Sequence, residues 1–123
     1  MSKLLRCHLP CDSSAPGLVR QALAALDVIK PVHDEALLVA SELVTNAVLH
    51  SGCEPSEEVE VIAETVPGSL RIIVTDPGRS NDAPTLKPRP GPGNFGLRVV
   101  EEVARRWGAE RGEGLQVWAE LQL

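Results

Sequence analysis

Apolar residues change their spacing several times along this chain, and each change predicts an element. Leu4 to Leu9 is short enough for a strand that Pro10 closes. Asp12, Ser13 and Ser14 offer helix caps, Pro16 suits a first turn, and Leu18, Val19, Ala22, Leu23 and Leu26 mark one helical face. After a break over Asp27 to Pro31, Ala36, Leu37, Ala40, Leu43, Val44, Ala47 and Val48 recur at three- and four-residue steps. The second helix therefore runs to about Ser51, where Gly52 suits a left-handed cap.

From Ser56 the period is two. Val59, Val61, Ala63 and Thr65 alternate with Glu58, Glu60, Ile62 and Glu64, and Leu70, Ile72 and Val74 alternate again after the turn pair Pro67-Gly68. These two runs predict a hairpin that delivers Asp76-Pro77-Gly78 off its end. Residues 79–92 contain Pro84, Pro88, Pro90 and Pro92 and predict a long loop of the kind that is either functional or disordered. A third helix is expected with the core stripe Leu97, Val100, Val103, Ala104 and Trp107, closed by Gly108. A terminal hairpin then pairs Ala109 to Arg111 with Leu115 to Leu121 through Gly112-Glu113-Gly114. Hairpins with helices grouped between them imply an α/β two-layer sandwich, a mixed, mainly antiparallel sheet with helices on one face. At 123 residues the chain is expected to form one domain, 1–123.

Composition narrows the function classes. Phe95, Trp107 and Trp118 are the only aromatics, too few for a base-stacking surface. The net charge of −5, with no Lys/Arg tract, argues against a nucleic-acid partner. No apolar run reaches the roughly 18 residues of a membrane span, and nothing resembles a signal peptide, so a cytoplasmic location without membrane contact is expected. Cys7, Cys11 and Cys53 form no C-x-x-C pair and predict ordinary thiols; Cys7-His8 with Cys11 lacks the further ligands of a closed zinc site.

Glu42, Asn46 and His50 lie at i, i+4 and i+8 on the second helix and share one side. Alone, such a line is a solvated stripe, Asp76-Pro77-Gly78 is a turn, and Gly93-Asn94-Phe95-Gly96 is a loop before a helix that could also present N–H groups to an anion. There is no G-x-x-x-x-G-K-[ST] P-loop and no strand-borne G-x-G-x-x-G.

Order and spacing together say more. Glu42-x-x-x-Asn46, then Asp76-x-Gly78, then a Pro-rich loop and a Gly-rich helix start resemble the N, G1 and G2 boxes of the GHKL (Bergerat-fold) ATPases. The stretch from Ser41 to Val48, the run Phe95-Gly96-Leu97-Arg98-Val99-Val100 and the ending Val117-Trp118-Ala119-Glu120-Leu121 are similar to the short actinobacterial regulators related to anti-sigma factor serine/threonine kinases. The resemblance implies ATP and Mg²⁺ as cofactors. It makes Asn46 the Mg²⁺ ligand, a hard oxygen donor for a hard ion, and Glu42 the general base or the group that orients the attacking hydroxyl. Asp76 would accept from the adenine amino group, Gly78 would admit the base, and Gly93, Asn94, Phe95, Gly96 and Leu97 would supply phosphate-binding amides beneath a lid over 79–92.

The partners it implies are a small STAS-type anti-anti-sigma protein, phosphorylated on Ser or Thr, and a sigma factor; it leaves the oligomeric state open while suggesting a homodimer. His50 receives no catalytic role. Ser80 replaces the second glycine of D-x-G-x-G, Asn94-Phe95 replaces a plainer glycine pair, and Gln116 stands where Thr is frequent. Two readings stay open: a protein kinase, or a nucleotide-gated module that binds its partner without transfer. A sensor histidine kinase fragment fits less well, because only 41 residues precede Glu42.

Overall fold

The computed structural model describes residues 2–78 and 96–123. Its elements are β1 (Ser2–Pro10), α1 (Ala15–Ala24), a 3-10 helix (Asp27–Val32), α2 (His33–His50), β2 (Glu58–Val66), β3 (Ser69–Asp76), α3 (Gly96–Val103), β4 (Arg106–Arg111) and β5 (Leu115–Gln122). The five strands form one sheet in the order β1-β2-β3-β5-β4. All four pairings are antiparallel, so the described sheet lacks the parallel component that a mixed sheet implies. Two successive helices join β1 to β2, and together they return the chain to the end of β1 it left.

Strict alternation decides which face is covered. Val59, Val61 and Ala63 of β2, Leu70, Ile72 and Val74 of β3, and Ala119 and Leu121 of β5 are buried beneath the helical layer. From above, α2 contributes Ala36, Val39, Ala40, Leu43, Val44 and Ala47, and α1 contributes Ala15, Val19 and Leu23. With so few aromatics the layers close on short aliphatic side chains, and the alanines let α2 approach the sheet.

The opposite face holds an ionic cluster. Glu120 is 4% exposed, yet it accepts hydrogen bonds from Arg71 Nε (2.9 Å) and Nη2 (2.8 Å) and from Arg106 Nε (3.1 Å). Both guanidinium groups also lie over the Trp118 ring, 6.0 and 5.7 Å from its centre. A buried carboxylate is tolerable only when paired in this way.

That cluster corrects one sequence expectation. The third helix stops at Val103 rather than Gly108, and Trp107 and Gly108 belong to β4. The edge of β5 would otherwise be unpaired, and Arg106 reaches Glu120 from β4. Trp107 still touches α3, donating through Nε1 to Glu101. Helical spacing was satisfied locally, but pairing with β5 won.

The cysteines also differ from the expectation of separate thiols. Cys11 and Cys53 form a disulfide, with Cα atoms 6.2 Å apart, while Cys7 is free. The end of β1 and the end of α2 meet at one end of the sheet, which a sequence separation of 42 residues conceals. Closing such a loop restricts the unfolded chain by about 4 kcal/mol in the chain-entropy account.

Hydrogen bonds from Arg106 are the main reason the Glu120 carboxyl titrates below the ordinary carboxylate value, with Arg71 adding to them against the cost of burial. A lowered carboxyl pKa contributes stability that is fully present above the unfolded value and is lost as pH falls through the folded one. Thermal unfolding of wild type and Glu120→Gln should therefore differ by a constant amount from neutral pH down to about 4.5, and the gap should narrow below it. A gap that widens on acidification would show that Glu120 is not held as a paired carboxylate.

Candidate functional site

Strand register gathers the candidate residues at one end of the sheet. Pro10 at the end of β1 lies opposite Glu58, and Glu60 lies opposite Thr75, so β3 finishes at the end where α2 also finishes. Asp76 pairs with Leu115, and Leu115 with Arg111, so the three form a row across β3, β5 and β4. The inner-face row of β3 runs Leu70, Ile72, Val74, Asp76. A carboxylate thus occupies the position where the alternation calls for an apolar side chain.

Asp76 is 6% exposed. Its Oδ1 accepts the Gly78 N–H at 2.6 Å, and Arg111 Nη1 donates to the Gly78 carbonyl at 3.0 Å. Burial pushes the Asp76 carboxyl above its ordinary value; the Gly78 N–H, the Arg111 charge and the Leu115 N–H pull the other way without overcoming it. Backbone geometry shapes the same corner. Gly78 has φ 69°, and a Cβ there would stand 2.9 Å from the Leu115 nitrogen. A Cβ on Gly114 would overlap the Asp76 carbonyl oxygen.

On α2 the polar residues divide into two groups. Ser41 Oγ donates to the Leu38 carbonyl at 3.0 Å and Thr45 Oγ1 to the Ser41 carbonyl at 2.7 Å, so these hydroxyls are satisfied within the helix. Glu42 and Asn46 are half-buried, and their side chains have no hydrogen-bonding partner among the described residues. They stand one turn apart on the helix that packs against β3, β5 and α3. His50 is the last residue of α2 and has no such partner either.

Leu97 is buried in the core, which leaves only its backbone for a ligand. Gly96 opens α3, whose first-turn N–H groups lack helical partners. Gly93, Asn94, Phe95 and the expected lid over 79–92 lie outside the described residues. Among the described residues no group of three or more His, Cys, Asp and Glu could hold a metal ion, and no helix is long and apolar enough to cross a membrane.

A family profile described as the histidine kinase-like ATPase domain matches residues 13–121. This chain belongs to that family. The ATPase domain also resembles solved structures that show its fold. One contains the RsbU and RsbW domains of Rv1364c from Mycobacterium tuberculosis, at 19% identity and TM-score 0.69, covering 98% of this chain and 32% of the other. Another is the blue-light activated histidine kinase EL346 of Erythrobacter litoralis, at 21% identity and TM-score 0.61, covering 94% and 42%. This chain therefore spans less than half of either. No curated protein matches it in sequence.

Two residues at this corner escaped the sequence reading. In the sequence pattern both belong only to the terminal hairpin, Gly114 in its turn and Arg111 at the end of its first strand. The signal available for both was the register that sets them beside Asp76, and it needs the β3–β5 pairing, which is not local in sequence. Gly114→Ala should displace the Asp76 turn and weaken adenine-nucleotide binding, whereas Gly112→Ala, where a Cβ meets nothing within 4 Å, should not. Equal effects in a titration would disprove the close-approach role. Because Arg111 favours the Asp76 carboxylate, Arg111→Ala should lose nucleotide on acidification at a higher pH than wild type does; coincident pH profiles would remove Arg111 from the site.

Proposed function

We propose that this ATPase domain binds Mg·ATP at the Asp76 end of the sheet and transfers the γ-phosphoryl group to a Ser or Thr of a small anti-anti-sigma protein of STAS type, controlling capture of a sigma factor. The observation that carries the nucleotide part is a buried, inward-facing Asp76 at the end of the sheet where α2 finishes, with Glu42 and Asn46 half-buried on that helix and without hydrogen-bonding partners among the described residues. These residues suit the ligand. Asp76 is an acceptor held in place by backbone N–H donors, beside a glycine with no room for a side chain. Asn46 offers an uncommitted hard oxygen for Mg²⁺.

In this reading Asp76 accepts from the adenine amino group, and Gly78 lets the base approach the backbone. Asn46 holds the metal ion, and the amides of Gly93, Asn94, Phe95, Gly96 and Leu97 orient the phosphates. Glu42, one turn before Asn46, orients the acceptor hydroxyl and takes its proton. Bound Mg·ATP supplies the phosphoryl group and the charge neutralisation that its transfer needs. The protein partners and a homodimeric state rest on the sequence resemblance and on likeness to a structure that contains an RsbW domain.

Ser80 and Asn94, which depart from the glycines of the family pattern, favour the second reading, a nucleotide-gated binding module without transfer. Labelled ATP separates the two. Wild type incubated with a STAS-type partner should label it, Glu42→Gln should bind ATP normally while slowing transfer by about 10²-fold or more, and Asn46→Ala should weaken Mg²⁺-dependent binding by about tenfold or more. An unlabelled partner, with ATP bound and the partner captured, would establish the binding module instead.

A further inference from the structure

The end of α2 carries a second chemistry. Cys11 follows β1 directly, and Cys53 lies three residues beyond α2. Their Cα separation of 6.2 Å is within the ordinary span of a disulfide, and the two sulfurs are bonded. Backbone contacts hold both residues. The Cys11 N–H donates to the Glu57 carbonyl at 3.0 Å, and the Cys53 N–H to Ser51 Oγ at 3.2 Å. Cys53 Sγ is also 3.8 Å from the Ala47 carbonyl oxygen, which accepts the Ser51 N–H that closes the helix.

The three thiols are not equivalent. Cys11 is 4% exposed and Cys53 is half-buried, so an oxidant in water meets Cys53 first. Cys7 stands on β1 four residues before Cys11, and burial raises its pKa, which lowers its share of reactive thiolate. Ala47, the residue whose carbonyl touches Cys53, directly follows Asn46 in the chain. Closing the bridge therefore fixes the last turn of the helix that carries Asn46, a turn whose carbonyls otherwise fray.

We propose that Cys11 and Cys53 are a reversible oxidation site that locks the last turn of α2 to the β1–α1 junction, and that closing it tightens nucleotide binding; the second half rests on the nucleotide reading above. The oxidant is a two-electron oxidant of the peroxide class. The Cys53 thiolate attacks hydrogen peroxide, the O–O bond breaks, and a sulfenic acid forms as hydroxide leaves and takes up a proton. The Cys11 sulfur, giving up its proton, then attacks the Cys53 sulfur; the S–S bond forms and the departing hydroxide becomes a second water. Two thiols are oxidised and one peroxide is reduced to two waters. Exchange with a thiol reductant reopens the bridge.

The test uses the full chain, reduced with dithiothreitol or oxidised with hydrogen peroxide. Oxidation should remove about 2 Da and yield a Cys11–Cys53 cross-linked peptide, reversibly. Cys7→Ser should retain that peptide and Cys53→Ser should lose it. Amide exchange at residues 47–51 should slow in the oxidised form, and Mg·ATP should bind it about threefold or more tightly through preorganisation. A cross-link that is absent, or that requires Cys7, overturns the site. Unchanged exchange overturns the lock, and equal ATP affinity of the two forms overturns redox control of binding. If neither form binds ATP, the nucleotide reading fails and takes the second half with it, while mass and exchange still decide the lock.

Discussion

The contact on which the rest depends is α2 packed on the inner face of β3 and β5. Alanines at positions 36, 40 and 47 and branched aliphatics between them bring the helix close to a sheet face made of Val, Ile, Leu and Ala. Burial of this kind stabilises by roughly 25 cal/mol per Å² of apolar surface, and it is indifferent to direction. Its value here is that it fixes helix rotation. With Val39, Leu43, Val44 and Ala47 buried, Asn46 and Glu42 fall along the edge of the apolar stripe and are half-buried, where polar side chains are affordable.

A second constraint works against the first at one point only. The inner row of β3 is apolar through Leu70, Ile72 and Val74 and then ends in Asp76. Placing a carboxylate there costs stability, as the upward displacement of its titration reports. Glu120 shows the alternative: it is just as buried, but two guanidinium groups hold it and its titration moves down. A charge compensated that fully has little left to offer a ligand. Asp76 is only partly compensated, by backbone N–H donors and by Arg111, and its remaining acceptor capacity is what a nucleotide base would use.

The disulfide ties these features to the chain's topology. β1, α2, β3 and β4 all finish at the same end of the sheet, so the chain ends of separate elements converge there without any local sequence signal. Cys11, Cys53, Asp76, Gly78 and Arg111 are neighbours in that sense, although they span a hundred residues of sequence. A covalent link at this end acts on the helix terminus next to Asn46, whereas the same link at the Ser69 end would act on nothing but packing.

Much was legible in the chain itself. Period and turn chemistry gave the two long helices, the β2–β3 hairpin and the α/β layering, because those depend on which residues are apolar at what spacing. Asp76-Pro77-Gly78 and the Glu42/Asn46 pair could be singled out as candidates because a family motif is a spacing too. Tertiary structure decided the rest. The third helix ended at Val103 because β5 needed an edge partner and Glu120 needed Arg106. Cys11 found Cys53 because two element ends coincide in space. Gly114 and Arg111 came to lie beside Asp76 and Gly78 only through strand register. Each of these depends on which strands lie side by side, and that is set by long-range burial rather than by any residue's neighbours in sequence.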